Sequence, residues 1–241
     1  MGWPEDYLCI ETSTTGNCFF DSVAIALKSL TPEMDEAATN RLVSLGIDGK
    51  LTPTSREFHA KDYTMFLLRT LVASSILTTM TRPYLEDWRD AYRALKESRD
   101  DAIINYQHMA PLERGINNET INEVFENMLK PSYWGDEFAR KTIEELMNVR
   151  FLIFDERGIP VVGTIHSTSL NYYPYTFILL HLSGSRLRFG GHYTPLIHKP
   201  TGRGSFTAKT LPKDIISQYR AGIPIRVLDD GTLPWFYTLR I

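Results

Sequence analysis

The chain contains 241 residues, of which 43% are hydrophobic and 23% are charged. This length and apolar content favour an ordinary globular enzyme, built as one domain or as one domain with an appendage. The formal net charge of −3 excludes a strongly basic surface, so we expect no nucleic-acid partner.

The same survey bears on compartment and cofactors. Residues 1–6 have neither the basic start nor the apolar stretch of a signal peptide, and charges interrupt every apolar segment before the roughly 20 residues that cross a bilayer. We expect a cytoplasmic protein with no membrane contact.

A disulfide between the two cysteines, Cys9 and Cys18, is a competing use of both thiols that needs an oxidising compartment. No Cys/His cluster has metal-ligand spacing, so we expect no metal and no cofactor.

Cys18 is the candidate nucleophile, because it stands where a helix is predicted to begin. A helix N-terminus carries a partial positive charge, which favours a thiolate and predicts a lowered pKa for Cys18. Cys9, inside an apolar run, is predicted to be a small buried residue. The helix is predicted from apolar residues that recur with a 3.6-residue period, at Phe20, Val23, Ala24 and Leu27.

The segment Thr15-Gly16-Asn17, directly ahead of Cys18, is typical of a tight turn. Glycine lets the backbone approach a substrate carbonyl closely, and the N–H groups of the turn can then face a developing oxyanion. The sequence therefore predicts that Thr15, Gly16 and Asn17 bind the oxyanion.

The middle of the chain is predicted to be helical, with Pro83 and Pro111 interrupting the helices and a further helix over 137–148. Apolar residues with helical spacing carry this prediction: Leu85, Trp88, Tyr92 and Leu95, then Ile121, Val124, Phe125, Met128 and Leu129.

Strands are predicted in the second half, over 149–154, 177–182 and 187–197, from apolar runs bounded by turn residues. Helices first and strands later indicate an α+β fold, sandwich-like, with a small central sheet flanked by helices. Residues 201–241 are expected to pack back on the same domain.

His192 is the candidate general base. It would begin a strand beside Gly190 and Gly191, which leave space for a substrate backbone, and the sheet would hold it facing Cys18. The other five histidines lack such a setting and are predicted to be surface or packing residues: His59, His108, His166, His181 and His198.

Four segments together form a pattern along the chain. They are Thr-Gly-Asn-Cys-Phe-Phe-Asp-Ser over 15–22, Leu-Arg-Thr-Leu-Val over 68–72, Tyr-Trp-Gly-Asp-Glu-Phe over 133–138 and His-Tyr-Thr over 192–194. In type, order and separation they resemble the ovarian tumour (OTU) family of cysteine proteases. The corresponding motifs of that family are Asp-Gly-Asn-Cys-Leu-Phe-Arg-Ser, Leu-Arg-x-x-Val, Trp-Gly-Gly-x-x-Glu and His-Tyr-Asn/Asp. Four motifs in order are far more specific than one.

The resemblance covers about residues 5–200. It implies a papain-like cysteine protease fold over 1–200, with a helical insertion at about 84–125 and a C-terminal extension over 201–241. It also implies a deubiquitinase, which hydrolyses isopeptide bonds after the C-terminal glycine of ubiquitin through a Cys18 thioester with His192 as base. Ubiquitin or polyubiquitin is then the partner of a monomeric enzyme. Viral and bacterial members of the family diverge this far, which extends the expected location to the cytoplasm of a host.

The resemblance implies further site residues and exposes two departures. Thr15 stands where the family has Asp, and Thr194 stands where it has the Asn or Asp that orients the histidine. The Thr194 hydroxyl can still accept the imidazole N–H, although more weakly than a carboxylate, and Asp6 and Glu11 are upstream alternatives. A narrow channel for a Gly-Gly tail is expected to have its walls among Trp134, Gly135, Gly190, Gly191 and Tyr193.

Three alternatives stay open. The same Cys–His pair would serve a cysteine protease acting on peptides or on another ubiquitin-like modifier. Loss of both carboxylates suggests a catalytically weak ubiquitin-binding module. A purely structural protein would tolerate replacement of Cys18 and His192.

Overall fold

The computed structural model describes residues 5–44, 59–77, 84–161, 176–184 and 191–222. Helices fill the first part of the chain and strands most of the second, so the predicted α+β class is confirmed. The α-helices are α1 (Cys18–Leu27), α2 (Pro32–Ser44), α3 (Met65–Ser75), α4 (Leu85–Glu97), α5 (Asn118–Leu129), α6 (Glu137–Met147) and α7 (Lys213–Gly222). The strands are β1 (Tyr7–Cys9), β2 (Val149–Phe154), β3 (Thr176–Ser183), β4 (His192–His198) and β5 (Ser205–Phe206).

The five strands form one mixed sheet with the order β1-β4-β3-β2, and β5 pairs with the beginning of β3. Strands β2 and β3 are parallel, as expected for two strands joined by a long connection, and the other pairs are antiparallel. In the pairing of β3 with β4, Thr194 lies opposite His181 and His192 lies opposite Ser183. This register fixes where the first residues of β4 lie.

Alternation along the strands divides the sheet into two apolar faces. On one face, Phe151 and Ile153 of β2 join the core formed with α1, where Phe19 and Phe20 are fully buried. On the other face, Leu152 belongs to a second core with residues of β1, β5 and α7. The small sheet is therefore covered on both sides, and α1 packs on the side that carries Tyr193.

The predicted helices are present in the middle of the chain, where the caps show why they begin where they do. The Thr64 hydroxyl accepts the Leu67 N–H ahead of α3, and Asn117 forms a capping box with Thr120 ahead of α5. Pro111, expected to interrupt a helix, lies inside a 3₁₀ segment, Asp101–Arg114. A short 3₁₀ turn, Ala60–Asp62, precedes α3. That residues 84–125 are an insertion stays a prediction.

A buried ionic cluster joins α6 to β2. The Glu144 carboxylate accepts hydrogen bonds from Arg140 at 2.9 Å, from Arg150 at 3.1 Å and from the Phe151 N–H at 3.0 Å. All three ionic side chains are at most 6% exposed. Because both buried guanidinium groups and a backbone N–H donate to this one carboxylate, the cluster joins α6 to β2.

The described part of the C-terminal segment lies against the second face. The Tyr7 hydroxyl donates to the Asp214 carboxylate at 3.0 Å, and Leu211 and Ile215 are buried in the second core. Residues 185–190, where the sequence predicted the start of a strand, and 223–241 lie outside the described residues. The division of the chain at residue 200 stays a prediction. In the described ranges, no helix is long and apolar enough to cross a membrane.

Candidate active site

Cys18 is the first residue of α1, as its sequence setting predicted, and it is 1% exposed. Its N–H donates to the Thr15 carbonyl at 3.1 Å, which closes the turn ahead of the helix. Its own carbonyl accepts the Ser22 hydroxyl at 2.7 Å. Both cysteines are free thiols, so the nucleophile candidate is held by backbone contacts on both sides and not by a disulfide.

The protonation of Cys18 differs from the expectation. Burial raises the pKa of the Cys18 thiol above its ordinary value, because a thiolate is poorly solvated in the core. Backbone N–H groups of Tyr193 and Phe19 hydrogen-bond the sulfur and lower the pKa, but they do not offset burial. The pKa of the Cys18 thiol is thus raised in the free protein, against the lowering predicted from the helix N-terminus. The Tyr193 contact also brings the start of β4 against the thiol.

His192 is the first residue of β4, and its Nε2 atom lies 3.4 Å from the Thr12 hydroxyl. Thr12 donates its single hydrogen to the Tyr193 carbonyl at 2.6 Å, so towards His192 it can only accept. This network assigns the imidazole proton to Nε2 and leaves Nδ1 as the proton acceptor. The tautomer of His192 is therefore fixed by a neighbouring hydroxyl, and its role as general base stays a prediction.

Thr194, proposed from the sequence as the orienter, contacts a different histidine. Its hydroxyl lies 3.3 Å from Nδ1 of His181, its partner across the strands, and Cys9 Sγ lies 3.7 Å from the same nitrogen. Burial lowers the pKa of His181, so the ring favours the neutral form there. The catalytic role given to Thr194 stays a prediction, whereas the structure places Thr12 on the His192 ring.

The upstream carboxylates named from the sequence are solvent-facing. Asp6 and Glu11 are both exposed. The carboxylate that joins the nucleophile loop is Asp21 of α1, which accepts the Ser13 hydroxyl at 2.8 Å. Its negative charge raises the pKa of Cys18, so Asp21 opposes the thiolate.

The predicted oxyanion turn is formed, and glycine is required at its centre. A Cβ atom on Gly16 would lie 2.4 Å from the Pro131 carbonyl oxygen, closer than a real Cβ can come. The Asn17 N–H is 3.3 Å from the Thr15 hydroxyl in the free protein, on the exposed side of the turn. The binding of an oxyanion by Thr15, Gly16 and Asn17 stays a prediction.

Arg69 of α3 is the element of the site that the sequence reasoning missed. Its guanidinium is 2% exposed and donates to the Gly16 carbonyl at 2.9 Å and to the Asn17 side-chain oxygen at 2.7 Å. It lies 4.5 Å from the centre of the Phe20 ring. An arginine between apolar residues, as in Leu-Arg-Thr-Leu-Val over 68–72, is the sequence signal for such a group, because a buried charge needs partners. Thr12 was missed because a hydroxyl-rich loop carries no comparable signal.

The residues predicted to form a channel have packing roles in the structure. A Cβ on Gly135 would lie 2.3 Å from Phe19 Cδ1, and one on Gly191 would lie 2.3 Å from Leu182 Cδ1. Tyr193 packs edge-on against Phe19, with ring centroids 5.2 Å apart. The side chain of Trp134 is half-buried, and Gly190 lies outside the described residues. Protein atoms account for both described glycines, and their contact with substrate stays a prediction.

Proteins similar to this chain are found among solved structures. No protein-family model and no curated protein matches this chain. Among solved structures, an OTU deubiquitinase from Wolbachia pipientis wMel is 13% identical, covers 83% of this chain and 93% of its own, and has a TM-score of 0.43. A structure of an OTU deubiquitinase from the same source, bound to ubiquitin, is 14% identical, covers 82% and 99%, and has a TM-score of 0.41.

Both neighbours are OTU deubiquitinases, and the four sequence segments of this chain resemble the OTU family. At this identity and TM-score no residue role passes from them to this chain. Among the described residues, no group of three or more metal-ligating side chains comes together. What the site does chemically therefore has to follow from its thiol, its imidazole and the groups around them.

Proposed function

We propose that this chain is a cysteine-type deubiquitinase that hydrolyses isopeptide bonds after the C-terminal glycine of ubiquitin. The observation that supports the proposal is that the Cys18 sulfur accepts the backbone N–H of Tyr193, the residue next to His192, whose ring lies beside the Thr12 hydroxyl. The OTU-like segments supply the substrate class. The ubiquitin-bound neighbour is an OTU deubiquitinase from Wolbachia pipientis wMel, and the binding of ubiquitin by this chain is part of the proposal.

In the proposed first step, Nδ1 of His192 takes the Cys18 proton and the thiolate attacks the glycine carbonyl carbon. The carbonyl oxygen becomes an oxyanion beside the turn 15–17, whose N–H groups receive it. The tetrahedral intermediate then collapses, the imidazolium returns a proton to the departing lysine amine, and a thioester remains on Cys18. A thiolate is intrinsically nucleophilic, so a neutral orienter such as Thr12 suffices where a serine enzyme needs a carboxylate.

In the second step, His192 takes a proton from water as the water attacks the thioester carbonyl. The oxyanion forms again at the same turn, and collapse releases the ubiquitin carboxylate and restores the Cys18 thiol. No oxidant, metal or cofactor enters either step. We propose that the enzyme acts as a monomer in a reducing cytosol, including that of a host, since a free thiol is needed in every turnover.

The proposal is tested with ubiquitin that carries a C-terminal propargylamide, which forms a stable vinyl thioether with a thiolate seated at the scissile position. Wild type and Cys9→Ala should both gain the mass of one ubiquitin, and Cys18→Ala should gain none. Cys9→Ala is a matched control because Cys9 is the second of the chain's two cysteines.

The outcomes separate the alternatives. Equal or faster labelling by probes made from other ubiquitin-like modifiers would show that such a modifier, and not ubiquitin, is the substrate. If no probe labels the wild type but the protein still binds unmodified ubiquitin, the chain is a binding module and not an enzyme. Labelling of Cys9 in place of Cys18 would overturn the site.

A further inference from the structure

We propose that Arg69 is a positioning residue of the thiol site: its guanidinium fixes the Gly16–Asn17 peptide beside Cys18 and places a buried positive charge next to the thiol. The inference deepens the proposed function and rests on it for the catalytic readout. Its electrostatic part concerns the Cys18 thiol itself and is independent of the substrate.

The guanidinium joins two segments that are far apart in sequence. One nitrogen, Nη2, donates to the Gly16 carbonyl and to the Asn17 side chain at 2.9 and 2.7 Å. The other, Nη1, donates to the carbonyls of Met128, Lys130 and Tyr133 at 2.9, 2.8 and 3.1 Å. The first of these acceptors lies in the last turn of α5, and the other two lie in the turn that follows it. The nucleophile loop is thus held to a rigid turn through a single side chain.

The hydrogen bonds of Arg69 to the Gly16 carbonyl and the Asn17 side chain, called the clamp below, fix the direction of the Asn17 N–H. In a planar trans peptide the C=O and the following N–H point in opposite directions. With its carbonyl turned inwards to Arg69, the Gly16–Asn17 peptide must present the Asn17 N–H outwards. That N–H is indeed on the exposed side, 3.3 Å from the Thr15 hydroxyl. Arg69 therefore aims one of the predicted oxyanion donors.

The second role follows from burial. The Cys18 thiol is almost fully buried, and its pKa is raised by that burial, so the thiolate lacks solvent to stabilise it. Arg69 is also buried, and burial lowers its pKa while the negative forms of Tyr133, Asp21 and Cys18 raise it. Its guanidinium hydrogen-bonds the two residues that precede Cys18, so its charge lies close to the thiol and favours the thiolate. An arginine keeps its charge in such a place, where a lysine readily loses its proton.

Lysine at this position has only one nitrogen, which cannot reach both the nucleophile loop and the turn after α5 as a planar fork does, and it readily loses its proton when buried. Arg69→Lys therefore tests the clamp, Arg69→Met removes clamp and charge together, and Asn17→Ala removes one acceptor from the clamp. Arg140→Lys is the matched control, because Arg140 is also buried and pairs with Glu144 on α6.

Two measurements are made on each variant in a Cys9→Ala background: kcat and KM on a fluorogenic ubiquitin C-terminal amide, and the pH dependence of Cys18 alkylation by iodoacetamide. We expect Arg69→Lys to lower kcat by about 10-fold or more with KM within about twofold, because an oxyanion donor acts only in the transition state. Arg69→Met should lower kcat further and move the alkylation midpoint up by about one pH unit. Arg140→Lys should change neither readout.

A folded Arg69→Met protein with an unmoved alkylation midpoint, or an Arg69→Lys protein with unchanged kcat, overturns the inference. If Arg69→Met does not fold, Asn17→Ala decides: a kcat within about twofold of wild type overturns the clamp, and a loss of kcat at constant KM supports it. If wild type turns over no ubiquitin substrate, the proposed function fails. The alkylation midpoints of wild type and Arg69→Met then still decide whether Arg69 acts on Cys18.

Discussion

The Thr12 hydroxyl lies 3.4 Å from Nε2 of His192. Because Thr12 gives its own hydrogen to the Tyr193 carbonyl, it accepts from the ring and holds the proton on Nε2. A hydroxyl from the loop ahead of Cys18 thus lies beside the His192 ring, where the sequence predicted the residue two positions after the histidine to lie. Thr194 is at that position, and its short side chain instead contacts His181 at 3.3 Å.

Thr12→Val is expected to lower kcat by about 10-fold or more on a fluorogenic ubiquitin amide, because valine keeps the shape of threonine and removes the acceptor. A hydrogen bond to a group that becomes charged contributes about 1.5–3 kcal/mol, which sets that scale. Thr194→Val is the paired variant. A larger loss in Thr194→Val than in Thr12→Val would contradict this assignment and restore Thr194 as the orienter.

The sequence predicted the positions of the helix and strands at the site better than it predicted which side chains contact each other there. Period and turn signals placed Cys18 at a helix start and put the second and third strands of the sheet where they lie, because both signals are local in the chain. The orienter of His192 was not predictable in this way. Thr12 and His192 are 180 positions apart, and the loop that brings them together has no apolar pattern.

The direction of the pKa shift of Cys18 was also not predictable from the sequence. A helix start is visible in the sequence and predicts a lowered pKa, whereas the depth of burial depends on how α1 packs on the sheet. Arg69 is a third case: its segment 68–72 was recognised as part of the OTU-like pattern, but its five acceptors lie on two segments that only the folded chain brings together.

The raised pKa of Cys18 predicts how its alkylation depends on pH. Below the pKa the thiol is protonated and unreactive, so the iodoacetamide rate of the Cys9→Ala protein should keep rising above the ordinary cysteine value of about 8.5. Cys9→Ala is required because burial also raises the pKa of Cys9. A rate that is already at its plateau near pH 6 would show a thiolate–imidazolium pair in the free enzyme and contradict the expectation.

Gly135 distinguishes packing from substrate contact. A methyl group there would meet Phe19 at 2.3 Å, so Gly135→Ala should lower the free energy of unfolding by about 1–3 kcal/mol, as overpacking of a core does. Thermal and urea unfolding measure the loss. Combining Gly135→Ala with Phe19→Leu should cost less than the sum of the two single variants, since the smaller side chain makes room.

A different result for Gly135→Ala would support the channel predicted from the sequence. If unfolding is unchanged while KM for the ubiquitin amide rises several-fold, the glycine faces substrate and not the core. A rise in KM together with a loss of stability would leave the packing account intact, because the displaced Phe19 lies directly after Cys18.

The central claim is that Cys18 and His192 carry out repeated hydrolysis of ubiquitin conjugates. It is tested most directly by a time course of di-ubiquitin cleavage, with each linkage supplied in large excess over enzyme, for wild type, Cys18→Ala and His192→Gln under reducing conditions. The account predicts multiple turnovers by wild type on at least one linkage, none by Cys18→Ala, and a loss of about 100-fold or more in His192→Gln. Cleavage that survives Cys18→Ala, or no cleavage of any linkage by wild type at micromolar enzyme, would contradict it.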